Sequence, residues 1–238
     1  MEFIGIVLRL TPFRDHDAMV TVLTNERIHS FLARGVLKYE SKLGSAVNIY
    51  SKSRFLISRG KDGYSLRNAE LLNSYENIKT DITKLAVVDF IGEITNKMIQ
   101  SDDAKNIYPF FERSLELLNN DFSPLTISII YFAKVLDVTG YSLNVDSCQI
   151  CGQKDRIVAI SHSDGGFICD RCISPLKHVK STVLELKMFR YIFKVDINNM
   201  NKVEFEKKDC LAILKNLNKF LDYVSQTKLK SIDLLCKI

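Results

Sequence analysis

Apolar and polar positions alternate along the first 75 residues in short segments rich in Val, Ile, Phe, Tyr and Thr. This period-two pattern is typical of strands that bury one face. A turn signal bounds each segment: Thr11-Pro12, Asn25-Glu26, Gly35, Gly44-Ser45 and Lys61-Asp62-Gly63. The pattern predicts five strands, at Phe3 to Leu10, Ala18 to Thr24, Ile28 to Arg34, Val47 to Ile57 and Tyr64 to Leu72. Five strands in so few residues suit a small closed barrel, for which the OB-fold is a common solution.

From about Asn77 the hydrophobic period changes to that of amphipathic helices. The spacing predicts five of them, at Ile82 to Met98, Ala104 to Leu118, Pro124 to Thr139, Thr182 to Val195 and Lys207 to Tyr223. Pro109 predicts a break or kink early in the second helix. Ser123-Pro124 and Gly140 are typical start and stop signals for the third. The second half is therefore predicted to be a helical body with one insertion.

The fold class predicted from these two patterns is α+β, with a barrel followed by helices. We expect a barrel domain at residues 1–76 and a helical domain in two parts, 77–143 and 179–238, which flank a cysteine-rich insertion at 144–178. With 10 glycines and 4 prolines in 238 residues, no flexible linker separates these parts. No run of eighteen apolar residues occurs, and the N-terminus lacks the features of a signal peptide, so we expect a soluble, unexported protein.

The insertion carries two C-x-x-C pairs, Cys148/Cys151 and Cys169/Cys172, separated by seventeen residues. In a reducing cytosol such pairs indicate metal binding rather than disulfides, and this spacing matches a four-cysteine zinc site. Between the pairs, Ile157 to Ile160 and the turn at Asp164-Gly165-Gly166 predict a hairpin. Four thiolates fill a tetrahedron and leave no position for water, so the predicted zinc ion is structural and stabilises a segment too small for its own core.

Other interpretations of the cysteines stay open. His162 or His178 could replace one thiolate, the pairs could be redox-active, or the metal could serve an enzyme. The two remaining cysteines, Cys210 and Cys236, lie among leucines and isoleucines and are predicted to be buried thiols.

The net charge of +5 is unevenly placed. The first 80 residues carry 12 Lys or Arg against 8 Asp or Glu, and the stretch from Arg27 to Arg67 has nine basic residues and two acids. Such a surface attracts polyanions, although a solvated basic face without a partner fits equally well. Aromatic residues are interleaved with the cations, where each could fill the barrel or stack on a base: Phe31, Tyr39, Tyr50, Phe55 and Tyr64.

No phosphate-binding loop, nucleophile elbow or H-E-x-x-H motif is present, and His16, between Asp15 and Asp17, is best interpreted as a turn residue. The sequence therefore predicts a protein that is not an enzyme. A second interpretation is an RNA-binding or transcription-associated protein, because OB barrels and four-cysteine ribbons are common there as well.

The chain resembles the RecO family of bacterial recombination mediators in four segments. They are Gly5 to Arg9 with Asp17 to Thr24, Ala33 to Val36 with Ser41 to Gly44, Leu136 to Gly140 with the two cysteine pairs, and Lys228 to Ser231. Only the cysteine motif is specific alone; the set spans nearly the whole chain in order. The resemblance implies an N-terminal OB-fold, a helical C-terminal domain and a zinc module.

The resemblance also implies a function in DNA repair: binding single- and double-stranded DNA, annealing complementary strands, and acting with RecR and the tail of single-strand-binding protein to load RecA. We expect a cytoplasmic, nucleoid-associated protein without a membrane partner. The predicted DNA contacts are basic residues of the barrel, which would neutralise phosphates and release counterions: Arg14, Arg34, Lys38, Lys42, Arg54 and Arg59.

Overall fold

A computed structural model describes residues 1–61 and 63–237, in two compact units, Met1–Phe122 and Ser123–Ile238. Asp62, in the predicted turn before the fifth strand, lies outside the described residues. The first unit contains a barrel and two helices, and the second contains helices and a small sheet. The predicted α+β class, with helices after the barrel, is confirmed.

The barrel consists of five strands, which are β1 (Glu2–Phe13), β2 (Asp17–Leu23), β3 (Ile28–Ala33), β4 (Lys52–Gly60) and β5 (Gly63–Asn73). They close in the order β1-β2-β3-β5-β4, with β1 pairing to β4. Neighbours are antiparallel except β3 and β5, which pair in parallel where Leu32 meets Ser65. A closed five-stranded barrel of this kind confirms the predicted OB-fold.

Alternation along β2 and β3 divides their side chains between the barrel core and the outside. Val20, Val22 and Phe31 are fully buried, and the Phe31 ring lies 5.5 Å from that of Phe55 across the core. Because successive side chains of a strand point to opposite faces, Met19 and Leu32 are presented outward. The core is therefore apolar and closed, and the outer face of β2 and β3 is available for binding.

The predicted start of the fourth strand at Val47 is wrong. Ser45–Val47 forms a turn of 3-10 helix, and the strand begins only at Lys52. Val47 belongs to the barrel core although it lies in a loop, and Tyr50 has a positive φ of 68° that no strand adopts. This loop is rich in apolar residues because it covers the barrel core. Its sequence therefore has the same apolar pattern as a buried strand.

Two helices complete the first unit, α1 (Ile82–Met98) and α2 (Ala104–Asn119). Asp81 caps α1, since its side chain accepts hydrogen bonds from the backbone N–H groups of Thr83 and Lys84 at 2.7 and 3.0 Å. Helix α2 is continuous through Pro109, so of the predicted break or kink, the break does not occur. Proline within a helix costs a backbone hydrogen bond, and here the surrounding helix persists despite that loss.

The second unit contains α3 (Pro124–Val138), α4 (Val183–Lys194), α5 (Lys207–Ser225) and the short α6 (Ser231–Leu235). Helix α3 is buried almost throughout and packs against α4 and α5. It ends at Val138, and Gly140 follows two residues later with a φ of +82° that favours glycine, in keeping with the predicted stop signal. Between α3 and α4 lies a three-stranded sheet of β6 (Asn144–Cys148), β7 (Ile157–Ser161) and β8 (Gly166–Cys169), in the order β6-β8-β7. Among the described helices, none is long and apolar enough to cross a bilayer.

Candidate nucleic-acid interface and metal centre

A groove of about 590 Å³ lies on the outer side of the barrel. Residues from the end of β1, from β2 and β3, and from the turn between β4 and β5 line it: Phe13, Arg14, Met19, Ser30, Leu32, Arg34, Gly60, Lys61, Gly63, Tyr64 and Ser65. In OB-folds the β2–β3 face, flanked by the β1–β2 and β4–β5 loops, is the usual binding face for oligonucleotides. We call this surface the barrel groove.

A second hollow of about 450 Å³ continues from the barrel groove, because Arg14 and Arg34 line both. Lys38 and His16 complete its lining together with Asp15, Asp17 and Gly35. His16 lies in the β1–β2 turn, as predicted. The backbone N–H of Gly35 donates a hydrogen bond to the Asp17 carboxylate at 2.8 Å, which fixes Gly35 beside the β1–β2 turn. The two hollows thus gather Arg14, Arg34 and Lys38 on one surface, and the name barrel groove covers both hollows from here on.

The cations of the barrel groove are available to a ligand. Arg14, Arg34, Lys38 and Lys61 are exposed, and across residues 1–61 and 63–237 none has an ion-pair partner. Arg14 instead lies over the Phe13 ring, with its guanidinium carbon 5.2 Å from the ring centre. Lys61 was not among the predicted contacts, because only the folded β4–β5 turn places it beside β3.

The other three predicted contacts lie outside the lining of these two hollows. Arg54 is ion-paired, at 3.0 Å to Glu70 and 3.7 Å to Glu2, and these two acids line a different hollow with it. Lys42 and Arg59 are exposed. The charge of Arg54 is therefore already compensated, which the sequence could not indicate because Glu2, Arg54 and Glu70 meet only across strands.

The five aromatic residues named from the sequence divide between the two interpretations. Phe31 and Phe55 are fully buried in the barrel core, and Tyr50 donates a hydrogen bond to Asp89 at 3.2 Å. Burial, with the nearby Asp89 charge, raises the pKa of Tyr50 far above its usual range. Tyr39 is fully exposed, and Tyr64 is 37% exposed in the barrel groove. Phe13, 42% exposed in the same groove, was missed because it lies at the end of a strand beside a turn.

The four predicted ligand cysteines come together in the second unit. The Sγ atoms of Cys148, Cys151, Cys169 and Cys172 all lie within 4.8 Å of one another, with Cys151 and Cys169 at 3.6 Å. Tetrahedral zinc with bonds of about 2.3 Å requires sulfur atoms roughly 3.8 Å apart, so this donor set fits the ion. Four cysteine side chains in this arrangement could hold a metal ion.

The local backbone favours metal ligation at the first pair. Gly152 adopts a φ of +77°, which glycine tolerates, and its N–H donates to the Cys148 carbonyl at 2.8 Å, forming a tight knuckle. Burial raises the pKa of Cys148, but the backbone N–H groups of Cys169, Cys151 and Ile150 outweigh this effect and lower it to about 6. The thiolate is the form that binds metals.

In the second cysteine pair, the pKa of one thiol shifts in the opposite direction. Neighbouring cysteine side chains, that of Cys151 first, raise the pKa of Cys172 to about 12. Four thiolates packed this closely repel one another, so their complete ionisation requires a cation between them. The predicted hairpin between the pairs is present, since β7 and β8 run antiparallel on either side of the Asp164–Gly166 turn.

The two histidines near the cysteines have other contacts. The buried His178 accepts a hydrogen bond at Nδ1 from the Ser174 N–H, at 2.9 Å, and its Nε2 lies 2.7 Å from the Asp164 carboxylate. This carboxylate also accepts from Ser161, which together with His178 lowers the pKa of Asp164. His162 packs against the Phe220 ring, 5.4 Å away. Neither joins the cysteine cluster found among the described residues.

Cys210 and Cys236 were both predicted to be buried thiols, and the prediction holds for Cys210 alone. Cys210 is fully buried, and burial raises its pKa to about 11, so its thiol is inert at neutral pH. Cys236 is only half-buried, so that prediction is wrong. It lies just after the five-residue α6.

Comparison with known families assigns both parts of the chain. Residues 1–75 match the family described as "Recombination protein O N terminal", and residues 79–233 match "Recombination protein O C terminal". The first match covers the barrel, and the second covers α1 to α5 together with the cysteine cluster.

Similar proteins cover nearly the same length. The DNA repair protein RecO of Bacillus cytotoxicus is 31% identical over 95% of this chain and 93% of its own. RecO proteins of Bacillus cereus and Halalkalibacterium halodurans are 30% and 24% identical over 95% of this chain and over 93% and 91% of theirs. The RecO family of recombination mediators, which the sequence resembles, is a family of DNA repair proteins that are not enzymes. These matches show that this chain is a member of the RecO family.

Proposed function

We propose that this protein binds single- and double-stranded DNA through the barrel groove, anneals complementary strands, and helps load RecA onto single strands coated by single-strand-binding protein. The convergence of Arg14, Arg34, Lys38 and Lys61 on the OB-fold binding face carries this proposal. Family membership supports DNA over the alternative RNA-binding or transcription-associated function.

Annealing follows from charge neutralisation without a chemical step. Two complementary strands repel each other through their phosphates, and cations that bind these phosphates release counterions and reduce the repulsion. Cations without an ion-pair partner can do so at once, whereas Arg54 must first leave Glu70 and Glu2. We therefore place most of the phosphate binding at Arg14, Arg34, Lys38 and Lys61, with Lys42 and Arg59 as peripheral contacts.

The cysteine cluster is proposed to hold one structural zinc ion with Cys148, Cys151, Cys169 and Cys172 as its ligands. Bound zinc would supply four bonds that fold the segment between α3 and α4, and no open coordination position for catalysis. Two features of the chain support this role: the short strands of five, five and four residues, and the knuckle at Gly152.

Protein partners are proposed as well: RecR, single-strand-binding protein and, indirectly, RecA. An acidic, apolar tail such as that of single-strand-binding protein needs an apolar groove with cations at its rim. In the second unit a hollow of about 340 Å³ is lined by apolar residues and by one cation and one acid: Ile160, Val179, Phe189, Lys180 and Glu185. Titration with an acidic, apolar peptide tests this location. Loss of peptide binding in the Lys180→Glu variant would support it.

We further propose that the protein works in the cytoplasm in association with the nucleoid. A fluorescent fusion that does not follow the cellular DNA would contradict this location.

The test of DNA binding compares two double variants that remove the same charge. Arg34→Gln with Lys38→Gln should weaken binding of single strands and duplexes at least tenfold and flatten the plot of log affinity against log salt by about 1.5 to 2. Arg54→Gln with Arg59→Gln, a pair outside the barrel groove, should have much less effect. Equal losses in both variants would contradict the groove.

Strand annealing by the same variants, with RNA of the same sequence as competitor, tests the function itself. A wild-type protein that anneals no DNA, or that strongly prefers RNA, would contradict the proposed function.

A further inference from the structure

The barrel groove contains apolar side chains among its cations. Phe13, Met19 and Tyr64 are 42%, 36% and 37% exposed, and Leu32 lies between them on β3. Exposed apolar groups scattered singly over a surface need no explanation, but these four line one hollow. Their presence there indicates a ligand with apolar surface as well as charge.

The two rings lie on opposite sides of the groove. Phe13 is the last residue of β1, which neighbours β2, and Tyr64 is the second residue of β5, which neighbours β3. Met19 and Leu32, on paired positions of β2 and β3, form the floor between them. The order β1-β2-β3-β5 therefore places an aromatic wall on each side of an apolar floor.

Neither ring is part of the barrel core. The residues that fill the core include Phe31 and Phe55, whose side chains are inaccessible, and Phe13 and Tyr64 are not among them. Arg14 lies over the Phe13 ring at 5.2 Å, which adds a planar cation to that wall. An arginine over an aromatic ring can continue a stack with a base.

Single strands and duplexes offer different surfaces to such a groove. Both present phosphates to cations, so the charge of the groove cannot distinguish them. Only a single strand can turn its bases out to stack on aromatic side chains, because in a duplex the faces of the bases are already stacked on one another. An aromatic wall therefore adds affinity for one form alone.

We infer that Phe13 and Tyr64 are base-stacking residues that give the barrel groove a preference for single strands, while duplexes are held by its cations only. The inference rests on the proposed DNA binding and adds the determinant of its selectivity. It predicts that affinity for the two forms can be changed separately by mutation.

The experiment measures fluorescence anisotropy of the full-length protein with an oligo-dT strand and with a hairpin duplex of equal charge, at several salt concentrations. Tyr64→Ala and Phe13→Ala should each weaken single-strand binding about tenfold, the effect of losing one stacked base, and duplex binding less than twofold. The salt dependence should stay unchanged, since no phosphate contact is lost. Tyr64→Phe should retain wild-type affinity.

Tyr223→Ala is the matched control, because this tyrosine is 68% exposed on α5 in the other unit and should affect neither form. Equal losses on strand and duplex, or no loss on the strand in Tyr64→Ala and Phe13→Ala, would overturn the inference and leave the proposed function standing. Failure of the wild type to bind either form would overturn both.

Discussion

The barrel and the cysteine module reach a fixed structure by different means. The barrel closes around buried rings such as Phe31 and Phe55, which are drawn from strands far apart in the chain. The cysteine module, which is the insertion at residues 144–178, has three short strands. Its four Sγ atoms come from two local pairs of cysteines. The barrel is stabilised by packing, whereas the proposed function makes the module depend on metal ligation, so each should respond to a different perturbation.

Removal of the metal should produce the largest difference between the cysteine module and the barrel. Cys148→Ser, or chelation of the wild type, should abolish zinc binding and unfold residues 144–178, because structural zinc contributes on the order of 10 kcal/mol in small zinc modules. DNA binding by the barrel groove should persist. Zinc stoichiometry, near-UV circular dichroism and DNA anisotropy check this together. If DNA binding disappeared with the zinc, the two regions would not be independent.

Truncation in the barrel core should have the opposite pattern. Phe55→Ala leaves a cavity in the core and should lower the free energy of unfolding by about 3 to 5 kcal/mol, with DNA affinity lost as the barrel unfolds. Zinc content should not change. Leu56→Ala is the matched control, since its side chain is 42% exposed and should cost about 0.5 kcal/mol or less. Denaturant titration and zinc analysis measure both, and a loss of zinc in Phe55→Ala would contradict the comparison.

A smaller effect tests whether the metal alone stabilises the cysteine module. His178→Ala removes the hydrogen bonds to Ser174 and Asp164 and should destabilise the module by about 1 to 3 kcal/mol with zinc still bound. Asp164→Ala should cost a similar amount, and the double variant should cost less than the sum because the two side chains interact. Thermal unfolding of the four proteins measures this coupling; additive effects would show that His178 and Asp164 act separately.

The cysteine cluster was predictable residue by residue, and the barrel groove only in part. Each C-x-x-C pair is folded by its own backbone, so spacing along the chain already defines which atoms can meet. Arg14 and Arg34 were predicted and do line one groove, but Arg54 is neutralised by Glu2 and Glu70 from two other strands. Strand register decides such pairs, and the alternation of apolar residues does not encode which cation opposes which acid.

By itself, the sequence determined the OB barrel, the helical body and which four cysteines come together, because hydrophobic period and cysteine spacing are local properties of the chain. Only the tertiary structure decided that Lys61, Phe13 and Tyr64 join Arg14 and Arg34, and that Val47 covers the core from a loop. Barrel closure brings the ends of β1, β3 and β5 together, and no local pattern contains that geometry.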